Sequence, residues 1–114
     1  MLRVPTRLAP SPIHGLGVFA AKPIPKGAVV WAFDPPLDQR LPAKLLEEQP
    51  EHVRRFVATY GMWEGEDYLL LGDDARFLNH AHAPNLDSTG PTTVAARDIA
   101  AGEELTDDYA TEPF

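Results

Sequence analysis

Apolar residues in this chain fall into short clusters separated by prolines and glycines. Val18–Ala21, Ala28–Phe33, Tyr68–Leu71, Thr92–Ala96 and Glu104–Thr106 each read as a short strand between turn signals. A different period governs Glu51–Tyr60. There Val53, Phe56, Val57 and Tyr60 stand at i, i+3, i+4 and i+7, which puts them on one helical face. Pro50 suits the start of that helix, where a missing N–H costs nothing. Ala43–Glu48, with Pro42 near its start, predicts a shorter helix. Many short strands with one or two central helices predict a β-rich α+β fold.

The pattern also repeats. AAKPIPKGAVV (20–30) matches AARDIAAGEEL (95–105): two alanines, a base, one residue, Ile, two residues, Gly, then an apolar residue three on. Each copy reads as strand, turn, strand. Gly27 and Gly102 supply a turn conformation that other residues resist. Two copies near the two ends predict two similar hairpin units packed together, and they are too few for a solenoid.

At 114 residues the chain is a single domain, residues 1–114. Its apolar share of 44% is enough for one core and argues against disorder of the whole chain. The absence of cysteine excludes disulfides, thiolate nucleophiles and zinc–thiolate clusters. MLRVPTRLAP has no apolar run of the kind a signal peptide needs. No stretch approaches the ~20 apolar residues that span a bilayer, so the expectation is a cytoplasmic protein that does not engage membranes. Seventeen acidic against ten basic residues give a formal charge of -7. That balance argues against direct binding to nucleic-acid phosphates and suits a basic partner such as a lysine-rich peptide.

Three short motifs carry candidate chemistry. Gly15-Leu16-Gly17 precedes an apolar strand, where glycines let the backbone approach a ligand or simply make a tight turn. It lacks the third glycine and the βαβ setting of a dinucleotide fingerprint. Asn79-His80 follows Phe77-Leu78 and can hold a polar ligand through side chain and backbone. His80 and His82 would equally share a strand face as metal ligands, with Asp73, Asp74 or Asp87 supplying a carboxylate, or His80 would be a locally satisfied core residue. Asp107-Asp108-Tyr109 ends the last strand, and Tyr109 is either a packed rim tyrosine or an orienting phenol.

Taken singly, none of these decides. Together, Gly15–Ala20 (GLGVFA), Arg76–Asn85 (RFLNHAHAPN) and Gly102–Tyr109 (GEELTDDY) resemble the SET-domain protein-lysine methyltransferases in order and spacing, over about residues 11–110. The resemblance is to a minimal, bacterial-type member without a post-SET zinc region. It implies a SET-type fold of short sheets and hairpins in which the C-terminal segment passes through a loop as a pseudoknot. It implies S-adenosylmethionine as cofactor and a lysine-containing protein or peptide as substrate. Residue by residue, it implies that Gly15, Leu16 and Gly17 hold the methionine end of the cofactor. Asn79 and His80 would contact the cofactor, and Tyr109 would be the catalytic tyrosine where methyl donor and lysine meet. Arg76, Phe77, Pro84 and Asn85 would brace the knot. No metal is required.

The sequence departs from that pattern at four places. His82 stands where many members carry a zinc-binding cysteine, so Thr111–Phe114, with Phe114 over the adenine, or a second subunit of a homodimer would close the channel. Asp107 takes a place that is often apolar or aromatic, beside the lysine channel. Phe33 stands where several members have a second active-site tyrosine, with Tyr60 or Tyr68 as replacements. The insert between Phe33 and Tyr68 is short, and much of the family's substrate specificity lies there. Two alternatives stand beside this reading: a non-catalytic SET-like module, and a small β-barrel metal enzyme built on His80 and His82.

Overall fold

The repeat in the sequence is a repeat in space. Ile24 and Ile99, equivalent in the two copies, exchange a pair of backbone hydrogen bonds of 2.8 Å each. The exchange continues on both sides. Gly27 N–H donates to the Ala95 carbonyl at 2.8 Å, and its counterpart Gly102 N–H donates to the Ala20 carbonyl at 2.7 Å. Ala95 N–H reaches the Ala28 carbonyl, and Ala20 N–H reaches the Glu103 carbonyl, both at 2.9 Å. Each copy therefore satisfies the turn of the other, the relation expected of two hairpin units packed together. Gly27 and Gly102 have φ of 85° and 88°, the left-handed region in which a Cβ is costly.

The computed structural model describes residues 1–108. In chain order the elements are β1 (Thr6–Pro10), β2 (Leu16–Ala20), β3 (Val29–Trp31), β4 (Gln39–Pro42), α1 (Ala43–Glu47), α2 (Glu51–Tyr60), β5 (Gly61–Glu64) and β6 (Asp67–Leu70). A single 3-10 turn, Asp74–Phe77, precedes β7 (Asn79–His80), β8 (Leu86–Asp87), β9 (Thr93–Ala95) and β10 (Thr106–Asp107). β1 and β2 form an antiparallel hairpin, β9 lies between β3 and β8, and β6 lies between β4 and β5. β10 pairs with β7 in parallel, Thr106 beside Asn79 and Asp107 beside His80. The repeat supplies the centre of the core: Ala20, Ile24 and Val30 with their counterparts Ala95, Ile99 and Leu105 are all buried, with Val18, Leu71, Leu78 and Leu86 around them. No described helix is long and apolar enough to cross a membrane.

The predicted helix forms with the expected bounds, but its apolar face divides. Only Val57 is buried, in a satellite cluster with Leu46 and Tyr68. Phe56 stays 43% exposed and stacks on Tyr60, whose ring meets Phe77 edge-on at 5.8 Å. A ten-residue helix lying over a small sheet has room to bury one stripe, and the aromatic edge is left facing a cleft. Strands β1, β4, β5, β7 and β8 are additional to those predicted. β1 is mostly exposed and ends on Pro10, so it shows neither alternation nor the residue types of a strand.

The C-terminal segment is held from both edges. Leu105 N–H donates to the Val18 carbonyl at 2.7 Å on one edge. On the other, the side-chain amide of Asn85 accepts from Thr106 N–H at 2.9 Å and donates to the Glu104 carbonyl at 2.8 Å. A buried side chain thus stands in for a neighbouring strand. Arg76 spans the 3-10 turn, donating from Nε and Nη2 to the Leu71 carbonyl at 3.2 and 2.7 Å.

The reciprocal turns make a matched prediction. No atom lies within 4 Å of a Cβ placed on Gly27 or Gly102, so alanine there meets conformational strain and no clash. Gly27→Ala and Gly102→Ala should each destabilise by ~1–2 kcal/mol in urea unfolding. Gly90→Ala, where φ is not positive and the nearest atom is 4.0 Å away, should change stability by less than ~0.5 kcal/mol.

Candidate active site

The segment from Ser11 to Gly17 loops back on itself, with Ser11 N–H donating to the Gly15 carbonyl at 2.8 Å. Gly15 takes φ of 49° to make the bend. The Ser11 hydroxyl accepts from Ile13 N–H at 3.0 Å and, at 3.4 Å, from His14 N–H. The carbonyls of the loop are met from the opposite side by Asn79. Its Nδ2 donates to the His14 carbonyl at 3.0 Å, to the Leu16 carbonyl at 3.1 Å and to Glu104 Oε2 at 2.9 Å. Two amide hydrogens are shared among three acceptors. The Asn79 side-chain nitrogen therefore shapes the loop.

The loop and β7 form one wall of a cleft of about 540 Å³. Gly15, Leu16, Asn79 and His80 line it, together with Thr59, Tyr60 and Phe77. Gly17 does not line it. It is buried beneath, where a Cβ would come within 2.9 Å of Glu104 Cδ and closer still to Oε2. Its lack of a side chain makes room for the Glu104 carboxylate. Of the two tyrosines considered as substitutes for a second active-site hydroxyl, Tyr60 faces this cleft, whereas Tyr68 is 7% exposed and packs against Trp63 in the satellite cluster. Phe33 lies under the Arg40 guanidinium, 5.0 Å from its ring centre.

His80 is partly exposed. Its Nδ1 stands 3.6 Å from Asp108 Oδ1, and its ring meets His82 edge-on at 4.8 Å. Among the described residues no group of three or more His, Cys, Asp or Glu could hold a metal ion. The metal-enzyme alternative lacks a third ligand there.

Asp107 points elsewhere. It is 4% exposed, accepts from Ser88 Oγ at 2.5 Å and from Asp108 N–H at 2.9 Å, and Ser88 Oγ lies 3.0 Å from Thr93 Oγ1. It lines a second cleft of about 610 Å³ with Leu86, Asp87, Ser88 and Asp108. Burial pushes its carboxyl above the usual range. Hydrogen bonds from Ser88 and Asp108 oppose that, and the charges of Asp108 and Asp87 add to it. Tyr109, Phe114 and the rest of the Thr111–Phe114 segment lie outside the described residues. The parts of the site that sequence reasoning did not single out are Ser11, the Glu104 carboxylate, Ile13, His14 and Thr59. Glu104 sat inside a recognised motif, but nothing near Ser11 signals its distant partner.

These positions can be set beside known proteins. A model of the SET domain matches residues 15–110. The chain belongs to the SET domain family. Human histone-lysine N-methyltransferase 2D is 32% identical over 112 residues, which cover 90% of this chain and 2% of that protein. A Mycosarcoma maydis histone-lysine N-methyltransferase described as H3 lysine-4 specific is 33% identical over 116 residues, covering 90% of this chain and 8% of its own. This SET domain thus spans a small fraction of the length of those relatives. A crystal structure of a Plasmodium falciparum protein, described as a candidate histone methyltransferase, superposes with a TM-score of 0.66 at 18% identity, covering 98% of both chains. At that identity the likeness concerns the fold, and it agrees with the expected β-rich α+β SET architecture.

Asp107 yields a pH prediction. Its native pKa is raised above the unfolded value, so the folded state binds its proton more tightly. Its contribution to stability is fully present below the unfolded pKa and is lost as pH rises through the native one. Asp107→Asn should remove that dependence. Urea unfolding at a series of pH values should show the wild type losing stability relative to Asp107→Asn from about pH 4 upward, then a constant difference.

Proposed function

We propose that this SET domain transfers a methyl group from S-adenosylmethionine to a lysine side chain of a protein. The observation that carries the reading is the first cleft. It joins two segments remote in sequence, the glycine loop and Asn79-His80, with Tyr60 and Phe77 also in its lining. Its volume of about 540 Å³ falls in the range of ligand sites. Backbone polar groups beside an apolar, aromatic wall suit a ligand with a charged amino-acid end and a flat base. Gly15 and Leu16 would hold the cofactor through the backbone, with Asn79 and His80 alongside. Gly17 would act by making room beneath the loop.

Bound there, the cofactor supplies an electrophilic methyl on a sulfonium. The rest of the work is positioning, because the transfer is an in-line displacement. The lysine must be neutral although its ordinary pKa is about 10.4, and desolvation and a neighbouring positive charge both favour the neutral form. Tyr109, by its motif position, would place its hydroxyl beside the methyl, where weak C–H···O contacts can hold it. The parallel β7–β10 pairing brings the chain to Asp108 next to His80, which supports both that placement and a pseudoknot. A formal charge of -7 favours a lysine-rich substrate by the overall field.

Calorimetry with S-adenosylmethionine should show saturable one-site binding. Labelled methyl should appear on lysine when protein extract is added. Tyr109→Phe should lower turnover by roughly 100-fold while cofactor affinity is unchanged. No cofactor binding by the wild type would overturn the reading, and binding without transfer to any lysine substrate would identify a non-catalytic module.

A further inference from the structure

The structure assigns to Glu104 the role of positioning residue for the cofactor loop, an inference that rests on reading the first cleft as the cofactor site. The loop that would cradle the ligand has no regular partner on its inner side. Its polar groups are collected by two side chains. Ser11 Oγ gathers the N–H groups of Ile13 and His14, and Asn79 Nδ2 gathers the carbonyls of His14 and Leu16. Both collectors are then tied to one carboxylate. Ser11 Oγ lies 2.8 Å from each Glu104 oxygen, and Asn79 Nδ2 lies 2.9 Å from Oε2.

The chemistry of the tie is directional. An ionised carboxylate only accepts, so it fixes the Ser11 hydroxyl as a donor toward it. The serine lone pairs are then left for Ile13 and His14 N–H. The same carboxylate orients the Asn79 amide with its NH2 inward, which aims its hydrogens at the two loop carbonyls. Gly17 completes the arrangement, because any side chain there would occupy the space of the carboxylate. Glu104 itself is fixed by a backbone bridge to Phe19 and by the Asn85 clamp on its carbonyl. The conformation of the loop is therefore set by the C-terminal segment, with Glu104 standing 89 and 87 residues beyond Gly15 and Gly17. Every bond of the tie is internal to the chain, and Glu104 acts on cofactor affinity through the loop without touching the ligand.

Backbone amide exchange in the ligand-free protein tests the tie, and cofactor titration tests its consequence. In Glu104→Ala, exchange of the Ile13 and His14 amides should rise about tenfold or more while the Val57 amide in α2 keeps its protection. The dissociation constant for S-adenosylmethionine, and its KM, should rise about tenfold, with kcat at saturating cofactor little changed. Glu104→Gln retains one acceptor oxygen of the same reach and should restore most of both effects. Ser11→Ala leaves the C-terminal segment intact and should reproduce the exchange effect if Glu104→Ala proves too unstable to study. Unchanged exchange at Ile13 and His14 in both alanine variants overturns the proposal. So does faster exchange with an unchanged dissociation constant, or an equal loss in kcat. If the wild type binds no cofactor while the exchange effects appear, the cofactor reading of the cleft fails and the loop tie stands.

Discussion

Everything that defines the site hangs on a five-residue stretch of backbone, Glu103–Asp107, being hydrogen-bonded along both edges. Its inner edge meets Ala20 and Val18, so it closes the two-fold exchange between the repeated hairpins. Further along, the Asp107 carbonyl accepts from Ala81 N–H at 2.9 Å, which continues the pairing past β7. Its outer edge has no strand beside it. Asn85 supplies one donor and one acceptor at the spacing a strand would offer. The Thr106 site is buried and the Glu104 site partly so, and a buried backbone group without a partner costs ~1–3 kcal/mol. One side chain therefore meets two obligations that would otherwise oppose burial of the segment. The asparagine amide suits this because it carries a donor and an acceptor on one planar group.

Placement of this stretch settles two matters at once. Its side chains alternate between faces, as in any strand. Leu105 goes to the middle of the core, fully buried, and pins the segment. Glu104 emerges on the other side, under the glycine loop, and orders it. A loop stabilised in this way needs no strands of its own, which leaves its upper surface available to a ligand. The cost is conformational: Gly15 must adopt a bend that other residues disfavour, and Gly17 must give up its side chain. Both glycines of the motif are thereby accounted for by different causes, one by backbone angle and one by the space taken by a carboxylate.

Much of the fold was legible in the sequence because it is local or repeated. The ten-residue helix follows from its period, and the reciprocal turns follow from the match of 20–30 with 95–105. What escaped is held by contacts between distant residues. Ser11 and Glu104 are 93 positions apart, and Asn79 reaches back 63 and 65 positions to the loop carbonyls. No periodicity reports such bonds. β1 escaped for a different reason: an edge strand that buries little need not alternate. The motif resemblance singled out the loop and Asn79-His80, which line one cleft. It did not show that the asparagine nitrogen works on the loop, or that Asp107 turns to Ser88 and Thr93 and lines a cleft of its own.

The two clefts are lined from a pair of neighbouring strands. β7 presents Asn79 and His80 to the first, while its parallel partner β10 presents Asp107 to the second. Paired strands lie about 4.8 Å apart, so the Asn79–Thr106 and His80–Asp107 pairs tie the two linings together. Asp107 sets a limit on the second space. A free carboxylate beside a lysine would favour the ammonium form and so oppose transfer. Asp107 is instead turned to Ser88 Oγ and Asp108 N–H, so its carboxyl group is held by the chain's own donors.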